Sequence, residues 1–421
     1  MPISDKISAD LPIGRPWWFY IGPAFLVSVG YMDPGNWATS IEAGSRYGYA
    51  LLWVITLSSA IAVLMQVLAA KLGISTGMDL AEAMRARFSR PVAGFLFLTA
   101  FLAMMATDLA EFLGVAIALK LLFGIPLTLA VLLTVFDVLL ILYLERFGYR
   151  WVEMVIIAFV ATIGLAYVIE LFFARPDLPE VMKNLFLPNG RVFKDHLALF
   201  VAMGILGATV MPHNLFLHSA QVKTRVRGNP EKKRVILRWS IVDTVSALSA
   251  AWLVNAAILV MAAAVFHKNG LLVVDLDQAY LTLAPLLGKA AAVTFAIALL
   301  ASGVSSSVTG TLAGQVVVEG FLNLRVKNVG LLRLFIRLLT MAPAVVAIAF
   351  SVRPLSLLVL SQVVLSMQLP FSVIPLVLFT SDRRLMNDLK NPPLIQLLAW
   401  TAAALIVGLN LFLLFLTLRG A

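Results

Sequence analysis

The chain has 421 residues, 61% of them hydrophobic and 13% charged, with a formal net charge of +10 and no cysteine. Soluble domains carry about a quarter charged residues, so a soluble fold is excluded. The missing thiols exclude disulfides, thiolate metal sites and cysteine nucleophiles. The positive charge does not call for nucleic acid, because the lysines and arginines sit in loops between apolar runs, where they set membrane topology.

Eleven such runs are each long enough to cross a hydrocarbon core about 30 Å thick. They cover 17–40, 49–74, 93–119, 126–144, 152–173, 196–222, 239–266, 286–318, 331–351, 355–379 and 394–418. They are too long and too uniformly apolar for barrel strands, so the expected fold class is an all-α polytopic membrane protein with the lipid bilayer as its partner. Residues 1–16 lack a signal-peptide pattern and read as an N-terminal tail, and "RPWWFY" (15–20) reads as an interfacial anchor. Basic residues gather on one side: Lys6 and Arg15, then Lys71, Arg85, Arg87 and Arg90, then Arg146 and Arg150. Seven more fall within 223–238, followed by Arg325, Lys327 and Arg333, and by Arg383, Arg384 and Lys390. That side is expected to be cytoplasmic, with the N-terminus inside and the C-terminus outside. The longest outer loops, 174–195 and 267–285, have room for short interfacial helices but not for a domain.

Two runs are interrupted in the same way. The first contains "DPGN" (33–36) and the sixth "MPHN" (211–214), both x-Pro-x-Asn near mid-span. An aspartate at that depth costs about 2.5–3.5 kcal/mol on insertion scales, and proline removes a backbone donor. A proline kink would account for one break alone; two matched breaks carrying Asp33 and His213 point to a site. The break divides the chain into 17–174 (spans one to five) and 196–380 (spans six to ten), with 394–418 as an eleventh span. Because five is odd, the second unit is inverted relative to the first. Paired interrupted spans in inverted repeats mark the central site of a transporter, and irregular backbone is tolerated there only where it lines a cavity.

The residue types set what binds. Asp33 offers a hard anionic oxygen, Asn36 an amide oxygen and Met211 a soft thioether. Oxygen donors alone would suit Mg²⁺, Ca²⁺ or Na⁺, and a thioether tilts the set toward Mn²⁺ and Fe²⁺. Met211 alone is weak evidence, since methionine is a common packing residue; its weight comes from matching Asp33.

"DPGN" and "MPHN" resemble the Nramp proteins (natural resistance-associated macrophage proteins), proton-coupled importers of divalent transition metals. The similarity extends through "ATDLAEFLG" (106–114), "GATVMPHNLFLHS" (207–219), "SGVSSSVTGTLAGQ" (302–315) and "LSQVVLS" (360–366), essentially the whole chain. It implies a LeuT-like fold, two inverted five-helix repeats plus an eleventh helix, in a bacterial inner (plasma) membrane. It also implies Asp33, Asn36 and Met211 as metal ligands, with the carbonyl of Ala208 in the unwound part of the sixth span. Gln362 would either approach the ion or make an interhelical hydrogen bond. The implied activity is symport of Mn²⁺ or Fe²⁺ with protons by a monomer, with no cofactor and no enzymatic chemistry.

A proton route needs other groups. Asp108 and Glu111 form an i,i+3 pair on the third span, and Arg333 and Arg337 an i,i+4 pair on the ninth. They read both as a brace between those spans and as a relay from Asp33. His213 reads as proton-linked or gating, and His218 as structural. "SGVSSSVTG", continuing to Gly310 and Gly314, reads as a close-packing face. Three alternatives are weighed. A magnesium importer of the related branch would lack the site methionine. A LeuT-fold carrier of an organic substrate such as an amino acid would be repelled by Asp33. An intramembrane hydrolase would need a nucleophile or ligand spacing that is absent here.

Overall fold

The computed structural model describes residues 22–136, 139, 143, 149–223, 230–273, 275–324, 328–350 and 352–419. Among these, nine helices are long and apolar enough to cross a membrane. They are the second span Leu52–Thr76, the third Arg90–Phe123, the fifth Tyr149–Ala174, the sixth (His196–Val210 and Pro212–Lys223) and the seventh Pro230–Val265. The eighth is Lys289–Leu322, the ninth Val329–Ala349, the tenth Pro354–Ser381 and the eleventh Pro393–Leu418. The first span is split into Pro23–Ser28 and Pro34–Tyr47, and the fourth opens with Leu127–Thr134. The tail 1–16, the stretch 15–20, the start of the first span and most of the second half of the fourth lie outside the described residues.

Several ends differ from expectation, and local chemistry explains one of them, as well as one helix that was not expected. The eighth span begins at Lys289 and not at 286, because Gly288 (φ 97°) ends a separate helix, Leu276–Leu287. A left-handed backbone at such a junction favours glycine. Between the second and third spans lies a short helix, Leu80–Arg87, that hydropathy does not reveal. Asp79 and Glu82 form a reciprocal capping box at its start. The loops after the fifth and seventh spans carry short helices, Leu178–Phe186 and Leu276–Leu287.

The interrupted spans lie at the centre. In its most apolar window the sixth span is 94% buried, against 28% for the eleventh, which stands at the rim. The half-helix Pro34–Tyr47 packs on the seventh span and on His196–Val210, which in turn packs on the second and tenth. The third and eighth spans pack together along the face containing Gly303, Gly310 and Gly314, where Gly303 abuts Val115 and Gly314 abuts Met104.

Candidate metal site

The first break is a helix start built inside a span. Pro23–Ser28 gives way to a 3₁₀ turn, Gly30–Met32, and Asp33 then adopts an extended conformation (φ −65°, ψ 165°). Asp33 caps Pro34–Tyr47, its Oδ1 accepting from Asn36 N at 2.7 Å and Asn36 Nδ2 at 3.0 Å. Proline fits the first helical position because its missing N–H would have no partner there. A carboxylate at this end also meets the positive pole of the helix dipole. The cap uses one oxygen of Asp33; Oδ2 is buried without a partner. The unwound carbonyls are held by other spans, Tyr31 O by Asn255 Nδ2 (2.7 Å) and Met32 O by Ser302 Oγ (2.5 Å).

The second break is a helix end. His196–Val210 stops at Met211, a fully buried residue with φ 38° and ψ 98°. Such a backbone costs a non-glycine residue about 1–2 kcal/mol, so the surrounding packing imposes it. Pro212 supplies no N–H to the carbonyl four residues back, which is Ala208. That carbonyl instead accepts from Asn36 Nδ2 at 2.9 Å. Asn36 thus ties the two breaks together and leaves its amide oxygen as the atom it can offer a cation. Ala208 lies in the last turn of the half-helix, not in an unwound stretch as expected. Its carbonyl is released by proline chemistry, not by unwinding.

Asn214 makes the converse crossing. Its Nδ2 donates to Met211 Sδ (3.3 Å) and to Val27 O on the first span (3.4 Å), and its Oδ1 is buried without a partner. Its importance was not drawn from the sequence, although its match to Asn36 in x-Pro-x-Asn carried the signal. Thr209, within the GATVMPHNLFLHS stretch, likewise has a buried hydroxyl with no partner.

Gln362 on the tenth span stands against the first break. A Cβ at Gly35 would lie 1.9 Å from its Nε2, and one at Gly207 would lie 1.9 Å from its carbonyl oxygen. These two glycines bring the tenth span against both broken spans. Gln362 Nε2 donates to Ser361 Oγ at 3.0 Å, within its own helix, while Oε1 is buried and unpartnered. The hydrogen bond drawn is therefore not interhelical. Among the described residues no group of three His, Asp or Glu could hold a metal. Any ion here depends on the mixed donors of the breaks.

A second polar cluster joins the third and ninth spans. Arg337 Nη1 bridges Asp108 Oδ1 (2.5 Å) and Glu111 Oε2 (3.0 Å), and Nη2 donates to Ser307 Oγ (2.5 Å). Its guanidinium lies 4.2 Å from the ring centroid of Phe112, within cation–π range. Thr340 donates to Asp108 Oδ2. A Cβ at Gly310 would sit 2.7 Å from Glu111 Oε1, so only glycine leaves room for both acids. Arg333 turns to the eighth span, Nε donating to Gln315 Oε1 at 2.8 Å, and Gln315 reaches Glu319 (3.0 Å). Arg337 thus bridges the third and eighth spans, while Arg333 Nε reaches the eighth.

His213 Nδ1 lies 3.1 Å from Thr107 Oγ1 on the third span, and its Nε2 is buried without a partner. His218 Nδ1 lies 2.8 Å from Gln66 Oε1, and Gln66 Nε2 donates to the Tyr31 hydroxyl at 2.6 Å. This chain links the second half of the sixth span to the first break.

The fold and site define a class: a polytopic helical membrane protein of the LeuT-like type, with two broken spans meeting around a buried mixed-donor centre. The chain belongs to the family described as natural resistance-associated macrophage protein-like, whose pattern matches residues 24–416. A relative from Nostoc sp., named divalent metal cation transporter MntH, is 50% identical over 406 residues, covering 95% of this chain and 91% of that protein. The crystal structure of the Eremococcus coleocola manganese transporter, in complex with an aromatic bis-isothiourea substituted compound, matches with TM-score 0.88 at 38% identity. It covers 98% of this chain and 90% of that one. Mhp1, a nucleobase-cation-symport-1 family transporter, shares the fold at TM-score 0.59 and 16% identity, over 94% of this chain and 91% of its own.

Proposed function

We propose that this protein is a proton-coupled importer of divalent transition-metal ions, chiefly Mn²⁺ and Fe²⁺, working by alternating access around the paired breaks. The observation that carries the reading is the Asn36 contact to the Ala208 carbonyl, which draws Asp33 and the Met211 turn to one place. Asp33 Oδ2 supplies the charge, Asn36 and the Ala208 carbonyl neutral oxygens, and Met211 sulfur the preference for softer ions. Gln362 Oε1, unpartnered beside Gly35, supports the ligand reading over the interhelical bond. The donor set matches a transported divalent cation, and no resident cofactor is called for.

Protons are given to the second cluster. Two buried carboxylates face the one Arg337 guanidinium, and an uncompensated buried charge is costly, so the cluster favours a further positive charge. With His213 and with Asp33, which serves both ion and proton, these residues form the proton route, and Arg333 extends it toward Gln315 and Glu319. The repeats are 17–174 and 196–380. The protein works as a monomer in a bacterial inner membrane, with the basic loops and the N-terminus cytoplasmic, and with Tyr47, Asp195 and the C-terminus outside.

The test is uptake by purified protein in liposomes, comparing Mn²⁺, Mg²⁺ and Ca²⁺ while recording internal pH. Mn²⁺ uptake with internal acidification, resistant to Mg²⁺ and Ca²⁺, is expected. Mg²⁺ uptake equal to Mn²⁺ would favour the harder-ion alternative, and uptake without acidification would remove the proton.

A further inference from the structure

Among the described residues, one buried acid outside both clusters has neither oxygen hydrogen-bonded. Glu170 lies four residues before the end of the fifth span, Tyr149–Ala174, with no exposed surface and neither carboxylate oxygen hydrogen-bonded. One turn back on the same face, the Tyr167 hydroxyl is also buried without a partner. The Tyr167 ring packs edge-on against Trp37 at 5.0 Å between centroids, and Trp37 packs on Phe295 at 5.3 Å. Trp37 is carried by Pro34–Tyr47, the half-helix that Asp33 caps.

Titratable groups are few on the elements around it. The elements packed against the fifth span are Pro23–Ser28, Pro34–Tyr47 through Trp37, the seventh and eighth spans and Leu276–Leu287. Pro34–Tyr47 carries Glu42 and Arg46, paired with each other, and Tyr47, whose hydroxyl donates to Asp195. Pro23–Ser28 carries no titratable group. The seventh span has none from Asp243 to its end at Val265, and Asp243 caps Gly22 and Ala24. The eighth has none between Lys289 at its start and Glu319. Leu276–Leu287 carries Asp277, paired with Lys120, and Tyr280. Tyr167 is the titratable group that interacts with Glu170. An ionised carboxylate left unpaired in such surroundings is far costlier than a neutral one.

We propose that Glu170 is a proton-binding site of the outer half of the molecule, holding its proton while Trp37 is packed on Tyr167. When Pro34–Tyr47 swings away, water reaches the carboxyl, its O–H bond breaks and the proton passes to the outer vestibule, leaving a carboxylate. The packed arrangement binds one more proton than the open one, so acid outside favours packing and base favours opening. This rests on the alternating-access reading but not on proton coupling, and links outside pH to the half-helix bearing the metal ligands.

The experiment is Mn²⁺ uptake by Glu170→Gln liposomes as outside pH is varied, with Mn²⁺ affinity measured by calorimetry. The variant is expected to bind Mn²⁺ as the wild type does while its profile loses a step of up to about tenfold per pH unit, the limit for one proton. A profile superimposed on the wild type's, or loss of Mn²⁺ binding, would overturn the proposal. Infrared spectra of the wild-type protein give a readout independent of that variant's folding. A protonated-carboxyl stretch at neutral pH should shift in Tyr167→Phe, and absence of any band responding to that change overturns the assignment. If wild-type uptake moves no protons, coupling fails while the pH profile still tests Glu170.

Discussion

The two breaks use one sequence device for opposite ends of a helix. In the first, Asp33 starts a helix and stays in an ordinary extended conformation, with one oxygen spent on the cap and the other left over. In the second, Met211 ends a helix with a left-handed backbone, and Pro212 frees a carbonyl upstream. One break therefore presents a carboxylate at no backbone cost, while the other presents a thioether on a strained turn and a carbonyl held by Asn36. The asparagines, equivalent in sequence, each cross to the other span: Asn36 to Ala208, Asn214 to Val27. Each break is thus held to the other span by its asparagine.

The largest effect is expected from removing the charge. Asp33→Asn keeps a capping side chain but takes away the site's anion, so Mn²⁺ affinity should fall by roughly two orders of magnitude, within the range for truncating a buried charge pair. Calorimetry on protein with unchanged elution and thermal unfolding checks this. Wild-type affinity in a folded Asp33→Asn protein would show that the first break is architecture only.

A smaller, graded effect separates the asparagines. Asn36→Ala removes an oxygen donor and strands the Ala208 carbonyl, which should weaken Mn²⁺ binding by roughly tenfold or more. Asn214→Ala loses contacts to a sulfur and a carbonyl at the far end of hydrogen-bond range, so about a few-fold is expected. Equal losses would mean that the pseudo-symmetry extends to ligation, with Asn214 Oδ1 a donor in its own right.

How much of this was legible follows from where each signal is stored. The breaks show in the sequence because proline deletes a donor whatever surrounds it, and because aspartate before proline is a helix-start signal. The i,i+3 spacing of Asp108 and Glu111 likewise fixes a shared face. Which arginine meets them depends on how the third and ninth spans are rotated against each other, so Arg333 and Arg337 looked equivalent and are not. The Ala208 carbonyl could have been read from its place four residues before Pro212, yet it was reached only through the family resemblance. Gln362 is unremarkable in a polar run until Gly35 and Gly207 bring the tenth span against the breaks. Glu170 had no motif at all, and it stands out only when both its oxygens prove buried and unpartnered.

Substitution at the soft donor changes selectivity more than affinity. Met211→Ala leaves an oxygen-dominated shell, so Mn²⁺ binding should persist within roughly tenfold while Ca²⁺ and Mg²⁺ compete better. The direct test of the whole account is the X-ray absorption spectrum of Mn²⁺ bound to the wild-type protein and to Met211→Ala. The account predicts oxygen neighbours plus one sulfur in the wild-type shell, with the sulfur lost in the variant. An oxygen-only shell in the wild type, unchanged by the substitution, would contradict the claim that the ion sits between the two breaks.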